Sequence, residues 1–197
     1  MVSINMGSRE IACKIVYYGP GRCGKTTNLQ IVHQKTGQKA PMTSIDTETD
    51  RTLFFDFLPL ELGTVAGMKT KFSLYTVPGQ SFYAATRKLV LNDADGVVFV
   101  ADSNPDMMKE NIESMDSLIQ FLGEFPNMSL KDFPVVLQWN KRDVPNPLPV
   151  TELNEKLNRT GTWPSVEAVA VNGVGVMQSL KLVSQRVLAK LGGTSKS

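Results

Sequence analysis

Three short stretches of this chain carry residue types that can handle a nucleoside phosphate. The first, Gly19-Pro20-Gly21-Arg22-Cys23-Gly24-Lys25-Thr26, fits G-x-x-x-x-G-K-[ST] at every fixed position. A backbone that curls its N–H groups around a pyrophosphate needs residues that tolerate positive φ and carry no Cβ, which is the reading of Gly19, Gly21 and Gly24. Lys25 then supplies a point charge for the β- and γ-phosphates, and the Thr26 hydroxyl suits a Mg²⁺ ion bridging the same oxygens. A glycine-rich turn without a ligand is the plain alternative. Context weighs against it, because an apolar run over residues 11–18 precedes the motif as a buried strand and residues 25–34 follow it as a helix.

The second stretch, Asn140-Lys141-Arg142-Asp143, matches N-K-x-D at the end of another apolar run, residues 134–139. A carboxylate accepts two hydrogen bonds from the N1–H and N2–H₂ of guanine, whereas adenine offers no such donor pair. Asp143 is therefore assigned to guanine selection, Asn140 to bracing the loop and the base edge, and the Lys141 stem to covering the ring face. The third stretch is Thr76-Val77-Pro78-Gly79-Gln80, whose Pro-Gly pair predicts a turn.

The elements that must position these stretches follow from apolar patterning. Residues 36–50 lack it and read as a long loop, the kind that is usually functional. Residues 54–58 and 69–75 read as two antiparallel strands joined through Pro59 and two glycines, and residues 81–91 as a helix. Residues 96–102 and 134–139 are too continuously apolar for half-exposed strands, so they belong at the centre of a parallel sheet. A helix follows from Asn104-Pro105 to residue 121 with Ile112, Met115, Leu118, Ile119 and Leu122 on one stripe. The chain continues with a loop over 144–149, a short helix over 152–157, a strand over 165–171 and a closing helix over 174–191. Strands alternating with helices predict an α/β fold: a mainly parallel sheet with helices on both faces and one antiparallel edge pair. In such sheets ligands bind beyond the C-terminal strand ends, where all three stretches fall.

Composition bounds the rest. At 197 residues one globular domain over 1–197 is expected, with residues 1–8 a polar extension and 192–197 a flexible tail. A net charge of +2 without a basic run gives nucleic-acid binding little support. The start of the chain has no apolar signal-peptide core, Val2 excludes the myristoylation pattern, and the tail has no prenylation cysteine. The expectation is a cytoplasmic protein without a direct membrane anchor. Its two cysteines, Cys13 and Cys23, are expected to be reduced; Cys23, among positive groups, is either a reactive thiol or, more simply, a small loop filler. His33 stands without ligand companions and reads as structural. The aromatic run Phe54, Phe55 and Phe57 exceeds what one sheet face needs, which suggests partner docking.

Over almost its whole length the chain resembles small Ras-like GTPases, and most of all the prokaryotic gliding-motility GTPases of the MglA type, which set cell polarity. The resemblance rests on residues 19–26, on Arg51-Thr52-Leu53-Phe54-Phe55-Asp56-Phe57, on Tyr75-Thr76-Val77-Pro78-Gly79-Gln80 and on Asn140-Lys141-Arg142-Asp143. It implies a phosphate-loop G domain that binds GTP and GDP with Mg²⁺ and hydrolyses GTP slowly. Nucleotide contacts would come from Gly19, Gly21, Arg22, Cys23, Gly24, Lys25, Thr26, Thr27, Gly79, Asn140, Lys141, Asp143 and the backbone N–H of Ala168. Thr26 and Thr52 would ligate Mg²⁺, Gln80 would orient the attacking water, and Arg51 would act as an arginine finger in cis unless it is merely a solvated loop charge. Thr76 stands where Ras-like proteins usually carry Asp, which predicts weaker Mg²⁺ retention. The implied regulator is a Roadblock/LC7-type GTPase-activating homodimer of the MglB kind, with polarity or motility effectors and recruitment to a cell pole. Two other readings remain at this point: a guanine-nucleotide-stabilised scaffold with negligible hydrolysis, and a nucleotide kinase, for which no arginine cluster is evident.

Overall fold

The computed structural model describes residues 3–37, 41–45, 55–65, 67–79, 84–125 and 129–193. In chain order the strands are β1 (Ser3–Asn5), β2 (Glu10–Tyr18), β3 (Thr43–Ile45), β4 (Phe55–Val65), β5 (Met68–Thr76), β6 (Gly96–Asp102), β7 (Val135–Asn140) and β8 (Ser165–Glu167). The helices are α1 (Lys25–Thr36), α2 (Ala84–Leu91), α3 (Met108–Gly123), α4 (Val150–Leu157) and α5 (Val176–Gly193). The described strands form one sheet in the order β3-β4-β5-β2-β6-β7-β8, with β1 beside β2. Pairing is parallel from β5 through β8 and antiparallel at the β3-β4-β5 edge. This is the expected α/β architecture.

Alternation along the central strands divides the core. On β6, Val97, Phe99 and Ala101 pack with Val16, Tyr18, Leu137 and Trp139 under α3 and α4, through Met115, Leu118, Leu122, Leu153 and Leu157. The opposite parity, Val98 and Val100, packs with Ile15, Tyr17, Leu58, Leu74 and Val136 under α1 and α5, through Leu29, Val32, Leu180 and Val183. Every residue of β6 and β7 is buried, as a strand covered on both faces must be. Each fully buried side chain of this kind contributes about 1.5–3 kcal/mol relative to its exposed state.

Several boundaries differ from the sequence reading. The extension contributes β1, antiparallel to β2 at Ser3↔Ala12. Within the expected long loop, Thr43–Ile45 forms β3 because β4 offers it an edge. Pro59 lies inside β4 rather than in the connection. It lies beyond the β3 pairing, which stops at Thr43↔Phe57, so on that side β4 is already an edge where a residue without an N–H is tolerated. Strand β8 ends at Glu167 and is followed by a 3₁₀ turn, Ala170–Asn172. Helix α5 extends through Gly193, two residues into the expected tail; residues 194–197 lie outside the described residues.

A buried polar seam joins the two helices behind the sheet to its centre. The amides of Asn28 and Gln138 bond each other reciprocally at 2.8 and 2.9 Å. Asn28 also donates to Gly24 O, and Gln138 donates to Ser179 Oγ at 2.9 Å. All three side chains are fully buried. Gln138→Leu leaves Asn28 and Ser179 each short of a partner, at a cost of about 1–3 kcal/mol for each unsatisfied group. The expected outcome in urea is a lower unfolding midpoint with an unchanged m value.

Candidate functional site

The loop between β2 and α1 is shaped by what it must avoid. Gly19 has φ +148°, and a Cβ there would lie 2.1 Å from the Val100 carbonyl oxygen. Gly24, at φ +105°, would place a Cβ 2.3 Å from Asn140 Nδ2. Gly21 behaves differently from expectation: its φ is not positive, and a Cβ would meet nothing nearer than Gly79 C at 4.0 Å. The left-handed residue in mid-loop is Arg22, at φ 60°. The contact that does exclude a side chain comes from the facing turn, where a Cβ on Gly79 would lie 2.3 Å from both Cα and N of Gly21. Gly79 thus seats the turn after β5 directly on the loop.

Helix α1 starts at Lys25 with no side-chain cap and no acid in its first turn. Its first N–H groups have no intrahelical acceptor by construction, so this end of the helix favours an anion. The buried Lys25 ammonium donates to Gly19 O at 2.9 Å and Pro20 O at 2.6 Å. Beside it, Cys23 is fully buried. Burial pushes its thiol above the ordinary range although the Lys25 charge acts the other way, so it is a packing residue and not a reactive thiol. Thr27 lies on the same first turn, half-buried.

On the base side, Asn140 is 2% exposed at the end of β7. Its Nδ2 donates to Cys23 O at 2.7 Å and its Oδ1 accepts from Ala170 N at 2.9 Å. The bracing role expected of this residue is thus present as geometry. Lys141, at φ 61°, pairs with the buried Asp102 at 2.6 Å, and Asp143 carries an exposed carboxylate at the rim. Ala168 does not offer the amide expected of it, because its N–H donates to Trp139 O at 2.8 Å. It still belongs to the β7–β8 ladder. The N–H that turns inward toward the Asn140 side chain is that of Ala170, two residues later.

On the edge side, the Thr26 hydroxyl donates to Asp56 Oδ2 at 2.5 Å. Thr76 Oγ1 donates to the same oxygen at 3.0 Å and accepts from Asp56 N at 2.8 Å. Sequence reasoning treated Asp56 as one residue of a strand. The available signal was its parity: it continues the row of Leu58 and Leu60, so an acid occupies an inward position. Arg51, Thr52, Phe54 and Gln80 lie outside the described residues, and Phe57, half-buried, meets Tyr75 with ring centroids 4.9 Å apart. Among the described residues no group of three His, Cys, Asp or Glu gathers to hold a metal by itself. Mg²⁺ does not need one, since it is usually held by one or two carboxylates together with substrate phosphates.

The model of the ADP-ribosylation factor family matches residues 2–187. The chain belongs to that family. It is 55% identical over 193 residues to the mutual gliding-motility protein MglA of Myxococcus xanthus, covering 97% of this chain and 98% of that protein. It is 24% and 23% identical over 189 residues to the ADP-ribosylation factor-like protein 6 of Caenorhabditis briggsae and of Caenorhabditis elegans, in each case covering 92% of this chain and 89% of the relative. The chain is accordingly a small GTPase of the MglA type. In this GTPase the phosphate loop, the turn after β5 and the base-side loop meet at one rim, held by Asn140 and Gly79. No described helix is long and apolar enough to cross a membrane.

Both cysteines of this GTPase should be silent. Burial pushes Cys13 up to about 12, with Asp95 adding to the rise. At about pH 8 this leaves roughly one Cys13 in 10⁴ as thiolate. Ellman's reagent is expected to label neither cysteine in the native protein and both after unfolding in guanidinium chloride.

Proposed function

We propose that this protein is a molecular switch. It binds GTP with Mg²⁺, hydrolyses it slowly to GDP, and presents different surfaces to effectors in the two states. The observation that carries this reading is the Asn140 side chain, which joins the guanine-type N-K-x-D loop to the phosphate loop through Cys23 O at 2.7 Å. Base and phosphates are thereby read as one ligand.

In this reading the loop N–H groups and the uncapped start of α1 receive the phosphates, and Lys25 turns from the loop carbonyls to the β- and γ-oxygens. Asp143 accepts the two guanine donors, while Lys141, anchored by Asp102, covers the ring. Bound Mg²⁺ would neutralise charge on the β- and γ-phosphate oxygens, with Thr26 and Thr52 as its protein ligands. The donor set fits a hard cation, since it offers oxygens only. Gln80 orients the attacking water and Arg51 offsets charge developing on the transferred group. An arginine in that role contributes about 10³–10⁵ in rate.

The name of the Myxococcus xanthus relative supports a part in gliding motility; a part in cell polarity rests on the family resemblance alone. The regulator consistent with that family is a Roadblock/LC7-type homodimer that fixes the loops bearing Arg51 and Gln80. The protein itself would be cytoplasmic and reach a cell pole through such partners.

Two measurements test this reading. In nucleotide competition, Asp143→Asn is expected to move preference from guanine toward xanthine, and unchanged GTP preference defeats the base assignment. In single-turnover hydrolysis with the activating partner, Arg51→Ala erases the stimulation and Gln80→Leu traps the GTP state. Stimulation that survives Arg51→Ala would instead place the finger in the partner.

A further inference from the structure

Arg142 fills the variable position of the N-K-x-D quartet and has no role in the reading above. The β7–β8 ladder ends at Trp139↔Glu167, with Ala168 N donating to Trp139 O at 2.8 Å. Arg142 N then donates back to Ala168 O at 3.1 Å. One residue of the β8 side is thus held from both ends of a short excursion, and Asn140 and Lys141 are the two residues looped out between the holds. The side chain of Arg142, 18% exposed, adds two further contacts. Its Nε donates to Glu167 Oε2 at 2.9 Å, and its Nη1 donates to Leu148 O at 2.6 Å. Leu148 is itself fixed to the end of β6, where its N–H donates to Ser103 O at 2.8 Å.

These contacts surround a strained turn. Lys141 has φ 61°, a conformation that a residue with a side chain keeps only where its surroundings over-determine it. Val144 N donates to Lys141 O at 3.2 Å, so Arg142 and Asp143 are the two central residues of a turn. Asp143 makes no printed contact of its own that would fix its backbone, and its carboxylate is exposed. Its neighbour supplies the anchorage instead: a guanidinium is a planar fork that can satisfy two acceptors at once in a set direction. Glu167 is 59% exposed, so the ion pair adds little to stability and acts chiefly through geometry.

We infer that Arg142 is a positioning residue for base recognition: by clamping the turn to Glu167 on one side and to Leu148 on the other, it sets where the Asp143 carboxylate stands. This rests on Asp143 being the acceptor for the two guanine donors, as proposed above. Arg142 does not touch the nucleotide in this inference; it acts through the residue beside it.

The test compares GDP with inosine diphosphate, which lacks the N2 amine, as competitors for a fluorescent GDP analogue on the full chain in Mg²⁺ buffer. The wild type is expected to prefer GDP by at least about tenfold, the worth of one hydrogen bond to a charged group. In Arg142→Met that preference is expected to fall by about tenfold, because GDP loses more than inosine diphosphate when the carboxylate is misplaced. Arg142→Lys keeps the charge without the fork and is expected to behave as Arg142→Met does; full recovery of the preference would overturn the clamp. An unchanged preference in Arg142→Met also overturns the inference, including the case in which both nucleotides bind more weakly by the same factor, which would make Arg142 a brace of the fold only. If Arg142→Met does not fold, Glu167→Ala decides: it removes one anchor at the surface and leaves the arginine, so the preference must still fall, and no fall overturns the inference. A wild type with no preference for GDP overturns the Asp143 assignment and the inference with it, and that failure is recognisable because it lies in the wild type.

Discussion

The site depends on one side-chain amide. Asn140 is almost fully buried, and an amide in that situation must have its donors and acceptor answered inside the protein. Its Nδ2 takes the carbonyl of Cys23 in the phosphate loop, its Oδ1 takes the N–H of Ala170 before α5, and its backbone oxygen takes Ser103 N after β6. Four chain segments far apart in sequence thus share one residue. Gly24 is part of the same arrangement, because a methyl group there would occupy the space of Nδ2. An aspartate at position 140 would lack the donor and an apolar residue both functions, leaving buried backbone groups unsatisfied at about 1–3 kcal/mol each. The glycine in the phosphate motif and the asparagine in the base motif are one packing solution, which is the physical reason to read the two stretches together.

The two walls of the site are held by different forces. On the base side β6 and β7 are buried at every position, and the charged pair Lys141–Asp102 sits at their ends at 2.6 Å. Desolvating Asp102 opposes that pair, so its value lies in where it puts the lysine stem rather than in stability. On the edge side the outermost described neighbour of β4 is the three-residue β3, and its ladder stops at Thr43↔Phe57, short of Pro59. What fixes that wall to the phosphate loop is the close seat of Gly79 on Gly21 and the hydroxyl contacts of Asp56.

Much of this was legible in the chain itself, and the rest was not for definite reasons. The strands β2, β6 and β7 and the phosphate loop are written in local pattern: continuous apolar runs end at glycines or at polar quartets. By contrast, Thr43–Ile45 becomes a strand only because β4 lies beside it, and Ala168 keeps its N–H in a ladder whose length β7 decides. Gly21 and Gly79 show the same limit. The motif points to Gly21, yet the backbone approach that excludes a side chain is felt at Gly79, through a contact between segments that no local pattern records.

The position of Asp56 extends this point to the origin of the site. On one face of the sheet, β2 runs Ile15, Tyr17, Gly19 and β5 runs Phe72, Leu74, Thr76. The antiparallel β4 arrives at the same rim from the other direction, as Leu60, Leu58, Asp56. Each row is mainly apolar where α1 and α5 cover it and becomes small or polar at the rim, because a strand alternates with period two and burying polar groups costs free energy. The chemistry therefore begins where three hydrophobic rows end. Which strand supplies a charge there is settled by register, so a carboxylate absent from the end of β5 is present at the start of β4, within hydrogen-bond reach of the same hydroxyl.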